Sequence, residues 1–315
     1  MDKHSTDTQP ADAASGDRLQ WIGKSLASDA GVIRLDPQCL AEILALAAEL
    51  AANPLPIEAL HPDDFNLPHC RAMMRRAGEL AEDELGFALI DRLPVERMDK
   101  DIATKIYWIL ASMISRPVAQ NWKGALIYGV ADTTKKKPGN GIRPDVTSAE
   151  QNFHTDNSYN TTPPDFVCLL CMQTAKRMLL ERDPDLVSRL YEPFLFDRQR
   201  EHAPDDQQWI ENPIFADHDG RLRVRLSAYL VRQGYQLAGK QLDKRGEAAL
   251  NALTAIVDDA DLYKEFYFEP GQIQIVNNRG IGHKRTAFED WPEPERQRHL
   301  VRIWLREKGR RFYHG

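Results

Sequence analysis

The sequence of 315 residues is short of cysteine, of long apolar runs and of excess positive charge. Its four cysteines are too few for a disulfide scaffold, which favours a cytoplasmic protein. No apolar stretch approaches the roughly 20 residues of a membrane helix, and we expect no signal peptide. The 41 Lys and Arg residues are outnumbered by 47 Asp and Glu residues, which excludes a basic nucleic-acid-binding protein. We therefore expect a protein that binds neither membranes nor nucleic acids.

Hydrophobic periodicity predicts helices in the first third of the chain and mainly short strands in the last half. Residues 1–20 are polar and are interpreted as a disordered leader, and residues 21–315 as a single domain. The predicted helices are 36–52, 70–83, 99–115, 177–191 and 247–257, and the predicted strands are 86–90, 124–130, 166–172, 221–226, 271–277 and 298–306. This order predicts an α+β fold, with an N-terminal helical part (about 36–115) and a β-barrel or jelly-roll core (about 86–315).

His154 and Asp156 form the first motif with chemical meaning. In an extended segment, residues i and i+2 point to the same side, so an imidazole and a carboxylate can converge on one metal ion while Thr155 faces away. The spacing alone is unspecific. His61 and Asp63 share it in a turn rich in Pro and Asp, where we expect no function.

A second histidine follows a turn that is interrupted by glycine. The apolar strand 271–277 leads through Gly280 and Gly282 to His283. Glycine allows unusual backbone angles and close approach to a ligand. Two histidines and one carboxylate form the facial triad that binds non-haem Fe(II) and leaves coordination positions open. Taken alone, His283 is equally compatible with a structural, hydrogen-bonded histidine.

The last predicted strand has arginines on one of its two faces. By alternation, Arg298, Leu300, Arg302 and Trp304 share a face, and the more apolar opposite face should pack on helices or on another sheet. A buried guanidinium needs an anion, and its planar fork matches a carboxylate. We therefore expect Arg298 and Arg302 to bind anions at the mouth of the core.

Several other residues are interpreted as structural. We expect solvated side chains for Arg306, Arg310 and Arg311, packing roles for Trp304 and Tyr159, a solvated loop for Lys135–Lys137, and buried thiols for Cys168 and Cys171. The CxxC spacing of the last pair has no second pair with which to form a zinc site.

Together, the segments QNFHTDNS, GQIQIVNNRGIGHKRT and RHLVRIWL resemble the taurine dioxygenase (TauD/TfdA) family, from about Gly86 to Gly315. The resemblance implies a double-stranded β-helix flanked by helices. It also implies a dioxygenase that uses Fe(II) and the co-substrate 2-oxoglutarate, and that hydroxylates a small polar molecule with O2 while releasing succinate and CO2. Relatives that halogenate have a small residue in place of the carboxylate ligand, so Asp156 favours hydroxylation.

The resemblance also implies roles for single residues. His154, Asp156 and His283 would be the iron ligands, and Arg298 would hold the distal carboxylate of 2-oxoglutarate. Arg302 matches a position that contacts an anionic substrate group in several relatives, which favours an amino-acid-like or other anionic substrate. Further residues at substrate-contacting positions are Asn157, Ser158 and Gln120.

One feature departs from the family pattern. After Lys176 the family has a glycine-rich turn and a further strand, but here the chain runs directly into a helical segment. This departure leaves open a catalytically inactive binding subunit, and the same ligands could also serve a zinc-dependent hydrolase. The complete triad with Arg298 counts against a catalytically inactive subunit. The hydrolase is disfavoured because no nearby residue is a candidate general base. A homo-oligomer is compatible with the sequence.

Overall fold

The computed structural model describes most of the chain. The described residues are 25–130, 146–167, 184–199, 201–218, 221–260, 262–266, 269–287, 293, 299–309 and 311. Predictions on the leader 1–20, Lys135–Lys137, Cys168, Cys171, the segment after Lys176, Arg298 and Arg310 lie outside these residues.

The order of elements follows the predicted change from helices to strands. The helices are α1 (Pro37–Ala52), α2 (Pro68–Glu79), α3 (Lys100–Ser112), α4 (Pro184–Leu190), α5 (Ala228–Leu237) and α6 (Lys244–Val257). The strands are β1 (Val32–Ile33), β2 (Phe87–Ile90), β3 (Pro117–Val118), β4 (Ile127–Val130), β5 (Gln151–His154), β6 (Phe166–Val167), β7 (Pro193–Asp197), β8 (Trp209–Pro213), β9 (Phe215–His218), β10 (Arg221–Val224), β11 (Ile273–Asn277), β12 (His283–Arg285) and β13 (Leu300–Leu305).

The first helix begins where its capping residue predicts. The side chain of Asp36 accepts a hydrogen bond of 2.7 Å from the backbone N–H of Cys39, and Pro37 occupies the first turn. Apolar side chains at helical spacing, among them Ile43 and Leu50, are buried. Helix α2 begins before its predicted start at Cys70, because Pro68 is well suited to a first helical turn.

A seven-stranded sheet separates two hydrophobic cores, in the order β1-β2-β11-β6-β13-β3, with β4 also paired to β13. Side chains of β13 alternate between these cores. Ile303 and Leu305 pack with residues of α1, α2 and α3, whereas Trp304 belongs to the opposite core. The prediction that the more apolar face of this strand packs on helices is therefore confirmed.

The second core lies between this sheet and three two-stranded ladders, β5–β12, β7–β8 and β9–β10, together with α5 and α6. Sheets packed face to face over one core are the architecture of a jelly roll. The described strands form open sheets and ladders, without a closed barrel. None of the helices in the described residues has the length and apolar composition that crossing a membrane requires.

The prediction for Arg306 is wrong. Only 2% of this residue is exposed, and its Nη1 donates a hydrogen bond of 2.7 Å to the carbonyl oxygen of Thr162. The residue directly follows β13, where its backbone N–H bonds to the carbonyl of Arg116, so the strand end holds it inside the protein. Arg311, by contrast, is exposed as expected.

Candidate metal centre

Two paired strands bring the two predicted histidines together. β5 and β12 run antiparallel, and His154 lies directly opposite His283 in their register. Gly282 lets the turn before β12 pack closely, because a Cβ there would lie 2.7 Å from Cδ2 of Leu226, which would have to move. The close approach predicted for the glycine-interrupted turn is therefore present, and it places His283 beside β5.

Asp156, the carboxylate residue of the triad, follows β5, and hydrogen bonds to its backbone fix its position. The side chain of Asn278 accepts a hydrogen bond of 2.7 Å from the N–H of Asp156 and donates one of 2.9 Å to its carbonyl oxygen. Thr155 faces away, as predicted, because its hydroxyl accepts from the backbone N–H of Leu226 at 2.9 Å. The role of Asn278 was missed from the sequence, although it lies in the asparagine pair that precedes His283.

The three candidate ligands converge on one point. Their ligand atoms all lie within 4.8 Å of one another. Oδ1 of Asp156 is 3.3 Å from Nε2 of His154 and 3.5 Å from Nε2 of His283. Nδ1 of His154 lies 2.8 Å from the carbonyl oxygen of Asn152, to which it donates, so its Nε2 carries the lone pair. The side-chain amide of Gln151 donates to this Nε2 at 2.8 Å, and a metal ion would replace that hydrogen bond.

The protonation states suit metal binding. Burial lowers the pKa of His283 to about 4, and the neighbouring His154 lowers it further, against the opposing effect of Asp156. Burial alone would raise the pKa of Asp156, but the charge of Arg302, together with the two neighbouring histidines, holds it well below its usual value. At neutral pH the site therefore offers a neutral imidazole and an ionised carboxylate, the forms in which these groups bind metals.

The residues present fit a non-haem iron ion. His283 is 1% exposed, and neither of its ring nitrogens has a hydrogen-bond partner of normal geometry among the described residues. Buried polar atoms without a partner are costly, and coordination of a metal by Nε2 would satisfy one of them. Two imidazoles and one carboxylate on one side of a metal are the donor set of non-haem Fe(II) oxygenases.

Arg302 lies beside the metal ligands. Its Nη1 is 3.0 Å from Oδ2 of Asp156, its guanidinium is flanked by the rings of Tyr128 and Trp304 at 5.1 and 4.9 Å, and it is 5% exposed. Gln120 accepts a hydrogen bond of 2.8 Å from Nε of Arg302 and donates one of 2.8 Å to its carbonyl oxygen. The structure thus places Gln120 against Arg302, and these two hydrogen bonds orient the guanidinium of Arg302.

Trp304 also contacts the site, which the sequence did not predict. Its indole Nε1 donates a hydrogen bond of 2.7 Å to Oδ2 of Asp156. Trp304 was expected only to pack, and it does so with 2% of its surface exposed. The alternation of β13 could have suggested this contact, because it places Trp304 on the same face as Arg302.

Of the remaining predicted site residues, the structure describes Asn157 and Ser158. Asn157 and Ser158 are buried directly after Asp156, and Asn157 adopts a left-handed backbone conformation with φ of 56°, which asparagine tolerates. The hydroxyl of Ser158 has no hydrogen-bond partner among the described residues. Arg298, the predicted ligand of 2-oxoglutarate, lies outside them.

Known proteins share this fold and sequence pattern. The chain is 25% identical over 300 residues to FR-33289 synthase of Streptomyces rubellomurinus (strain ATCC 31215), covering 88% of this chain and 86% of that protein. The crystal structure of asparagine oxygenase (AsnO) with Fe(II), 2S,3S-3-hydroxyasparagine and succinate superimposes with a TM-score of 0.61 at 19% identity, over 87% of this chain and 93% of that one. The non-heme iron oxygenase OrfP with Fe and alpha-ketoglutaric acid gives a TM-score of 0.60 at 16% identity, over 88% and 94%.

These structural matches confirm the predicted fold, a jelly-roll core with flanking helices. The family model described as "Taurine catabolism dioxygenase TauD, TfdA family" matches residues 51–304, which is most of the chain. The matched region contains all three candidate iron ligands. The chain therefore belongs to the TauD/TfdA family of Fe(II)- and 2-oxoglutarate-dependent dioxygenases, as its sequence motifs predict.

Proposed function

We propose that this dioxygenase hydroxylates a C–H bond of a small substrate that carries a carboxylate, such as an amino acid. The observation that carries the proposal is the buried guanidinium of Arg302 next to the metal ligands. Both AsnO and OrfP have been crystallised with hydroxylated amino acids, which supports an amino-acid-like substrate here.

The balance of charge in the site supports an anionic substrate. Asp156 and Arg302 cancel each other, and the double positive charge of Fe(II) is balanced by the two carboxylates of 2-oxoglutarate. The predicted 2-oxoglutarate ligand Arg298 would add one further positive charge. A substrate carboxylate bound to Arg302 would balance that charge, and charges inside a protein are costly unless they are paired.

Each group of the chain has a defined task in the proposed reaction. Bound iron and 2-oxoglutarate supply the oxidising chemistry, in which O2 is consumed, succinate and CO2 are released and one oxygen atom enters the substrate. His154, Asp156 and His283 would hold the iron on one side. The planar fork of Arg302 would orient the substrate carboxylate, and Gln120 fixes the direction of that fork.

The residues after Asp156 complete the proposed substrate site. The buried hydroxyl of Ser158 is available to a polar substrate group, since it has no partner among the described residues. Its backbone carbonyl accepts a hydrogen bond of 3.1 Å from Arg225, which holds this turn in place. Because Asp156 occupies the third ligand position, the site favours hydroxylation over halogenation.

The proposal is tested with the purified enzyme, Fe(II), 2-oxoglutarate and a panel of L-amino acids with their uncharged amides. We expect at least one free acid to stimulate succinate formation and to give a product heavier by one oxygen atom. The matching amide should have a kcat/KM lower by about tenfold or more, because it forfeits a charge-assisted hydrogen bond. Equal use of acid and amide, or turnover with uncharged compounds alone, would contradict an anionic substrate.

Arg302→Lys provides a second test, because it keeps the charge but loses the bidentate fork. We expect KM for the substrate to rise far more than kcat falls. Arg306→Lys is the matched control, since Arg306 is equally buried and follows the same strand but bonds to the carbonyl of Thr162. An unchanged KM in Arg302→Lys, or an equal rise in both variants, would remove Arg302 from the substrate site.

A further inference from the structure

The two oxygens of the Asp156 carboxylate face different partners. Oδ1 points to the two histidines, at 3.3 Å from His154 and 3.5 Å from His283. Oδ2 points to the opposite side, where it accepts a hydrogen bond of 2.7 Å from Trp304 and lies 3.0 Å from Nη1 of Arg302. The carboxylate is thus already divided into a side that can bind metal and a side that is held by the protein.

Trp304 is well suited to hold the second oxygen. An indole N–H can only donate, and its rigid ring gives the bond one direction. The residue lies within β13, opposite Val118 of β3 and Val167 of β6, so neighbouring strands fix its backbone on both sides. Its ring is part of the second hydrophobic core. Arg302, by comparison, has a longer side chain and is proposed to serve the substrate.

We propose that Trp304 is a positioning residue of the metal centre, which holds Oδ2 of Asp156 so that the carboxylate offers only Oδ1 to the metal. Single-oxygen coordination keeps three positions of an octahedral ion open, whereas a carboxylate that rotates to bind through both oxygens would fill one that 2-oxoglutarate or O2 needs. Groups that orient metal ligands in this way contribute strongly to affinity. The inference rests on the metal role of the triad in the proposed function.

Trp304→Phe tests this role because it removes the N–H and keeps an aromatic ring. Anaerobic titration with Fe(II) should show an affinity about 10- to 100-fold weaker than that of the wild type. Trp108→Phe is the matched control. Trp108 is also 2% exposed, and its indole donates a hydrogen bond of 3.0 Å to the carbonyl of Leu60, in the core formed with α1 and α2. This control should bind Fe(II) as the wild type does.

A second readout separates positioning from general damage. With Fe(II) bound at saturation, Trp304→Phe should also bind 2-oxoglutarate more weakly, because the freed carboxylate competes for a coordination position, and Trp108→Phe should not. If Trp304→Phe binds Fe(II) and 2-oxoglutarate as tightly as the wild type, the inference is wrong while the proposed function stands. If the wild type itself binds no Fe(II), the proposed function fails instead.

The wild type can decide the question even if Trp304→Phe does not fold. In proton NMR spectra, the indole N–H signal of Trp304 is identified by comparison with Asp156→Ala. It should be the indole signal that moves upfield in that variant, because the variant removes its hydrogen-bond acceptor. On titration of the wild type with Zn(II), a diamagnetic substitute for iron, this resonance should keep its downfield, hydrogen-bonded position. Movement upfield to the position seen in Asp156→Ala would show that metal binding breaks the bond, and would overturn the inference.

Discussion

His154 and His283 are directly opposite each other in the β5–β12 ladder, with ring centroids 4.2 Å apart. Antiparallel pairing gives such opposed residues a fixed side and spacing. A slip of one residue in this register would turn one histidine to the other face and dismantle the site. The strand pairing, rather than either motif alone, therefore creates the metal centre.

Metal binding should stabilise the folded protein through His283. Fe(II) at 100 times its dissociation constant should raise the free energy of unfolding by about 2.7 kcal/mol, because the unfolded chain does not hold the three ligands together. His283→Ala should abolish this gain, as measured by anaerobic urea denaturation with Fe(II) and with a chelator. His61→Ala is the control. His61 and Asp63 have the same spacing as His154 and Asp156, but their side chains are exposed. A gain in His283→Ala equal to that of the wild type would contradict the assignment.

Asp156→Ala should destabilise even the metal-free protein. The change leaves the buried guanidinium of Arg302 without its carboxylate, and breaking a buried ion pair costs about 3–5 kcal/mol. Asp63→Ala, which removes the exposed partner of Arg71, should cost about 1 kcal/mol or less. Urea denaturation in a chelator compares the two. Equal, small losses would show that Asp156 does not compensate the charge of Arg302.

Two helical glycines should respond in opposite directions to alanine. A Cβ at Gly234 in α5 would lie 2.4 Å from the carbonyl oxygen of Leu195, so Gly234→Ala should lose about 3 kcal/mol of stability. At Gly78 in α2 the nearest atom would be Cγ2 of Ile114 at 3.6 Å, an ordinary contact. Gly78→Ala should therefore gain up to about 1 kcal/mol from helix propensity. Thermal denaturation of both variants checks the signs, and a stable Gly234→Ala would contradict the close packing of α5 on β7.

The pair of Arg189 and Asp243 should make stability depend on pH. Hydrogen bonds from Arg189 lower the pKa of Asp243, against a smaller effect of burial. Because the folded pKa is the lower one, the contribution is complete above the ordinary pKa of aspartate and is lost as pH falls through the folded pKa. Asp243→Asn keeps the helix cap but not the charge. It should cost about 1 kcal/mol at pH 7, since Asp243 is half exposed, and progressively less below about pH 4.

Asp36→Asn is the matched control for this measurement. Asp36 caps α1 as Asp243 caps α6, but it forms no ion pair with the described residues. Asp36→Asn therefore replaces a capping carboxylate without breaking an ion pair. Parallel pH profiles for the two variants would show that the charge of Asp243 contributes nothing beyond its cap.

Local signals predicted much of this architecture. The cap at Asp36, the buried strand at Phe87–Ile90 and the alternation of β13 depend on neighbouring residues only, so the sequence carries them directly. The convergence of His154, Asp156 and His283 depends on long-range strand pairing, and it was predicted only with the help of a family resemblance.

The contacts that were missed depend on tertiary packing. Trp304 was interpreted as a packing residue. The alternation of β13 places it on the face of Arg302, but only the folded structure shows that its indole N–H meets Asp156. Arg306 was expected in solvent, but the end of the strand carries it inward to the carbonyl of Thr162. Asn278 holds the backbone of Asp156 across a large separation in the chain. Polar residues of this kind show their role only when their partners are known.

The central claim is that the triad binds iron and accepts 2-oxoglutarate. Anaerobic visible absorption tests it most directly, with Fe(II) added first to the purified apoprotein and 2-oxoglutarate second. We expect a metal-to-ligand charge-transfer band that appears only with both, is absent in His154→Ala, and needs more 2-oxoglutarate in Arg298→Ala. A folded wild type that binds Fe(II) but never develops the band with 2-oxoglutarate would contradict the account, and the binding-subunit alternative would then be favoured.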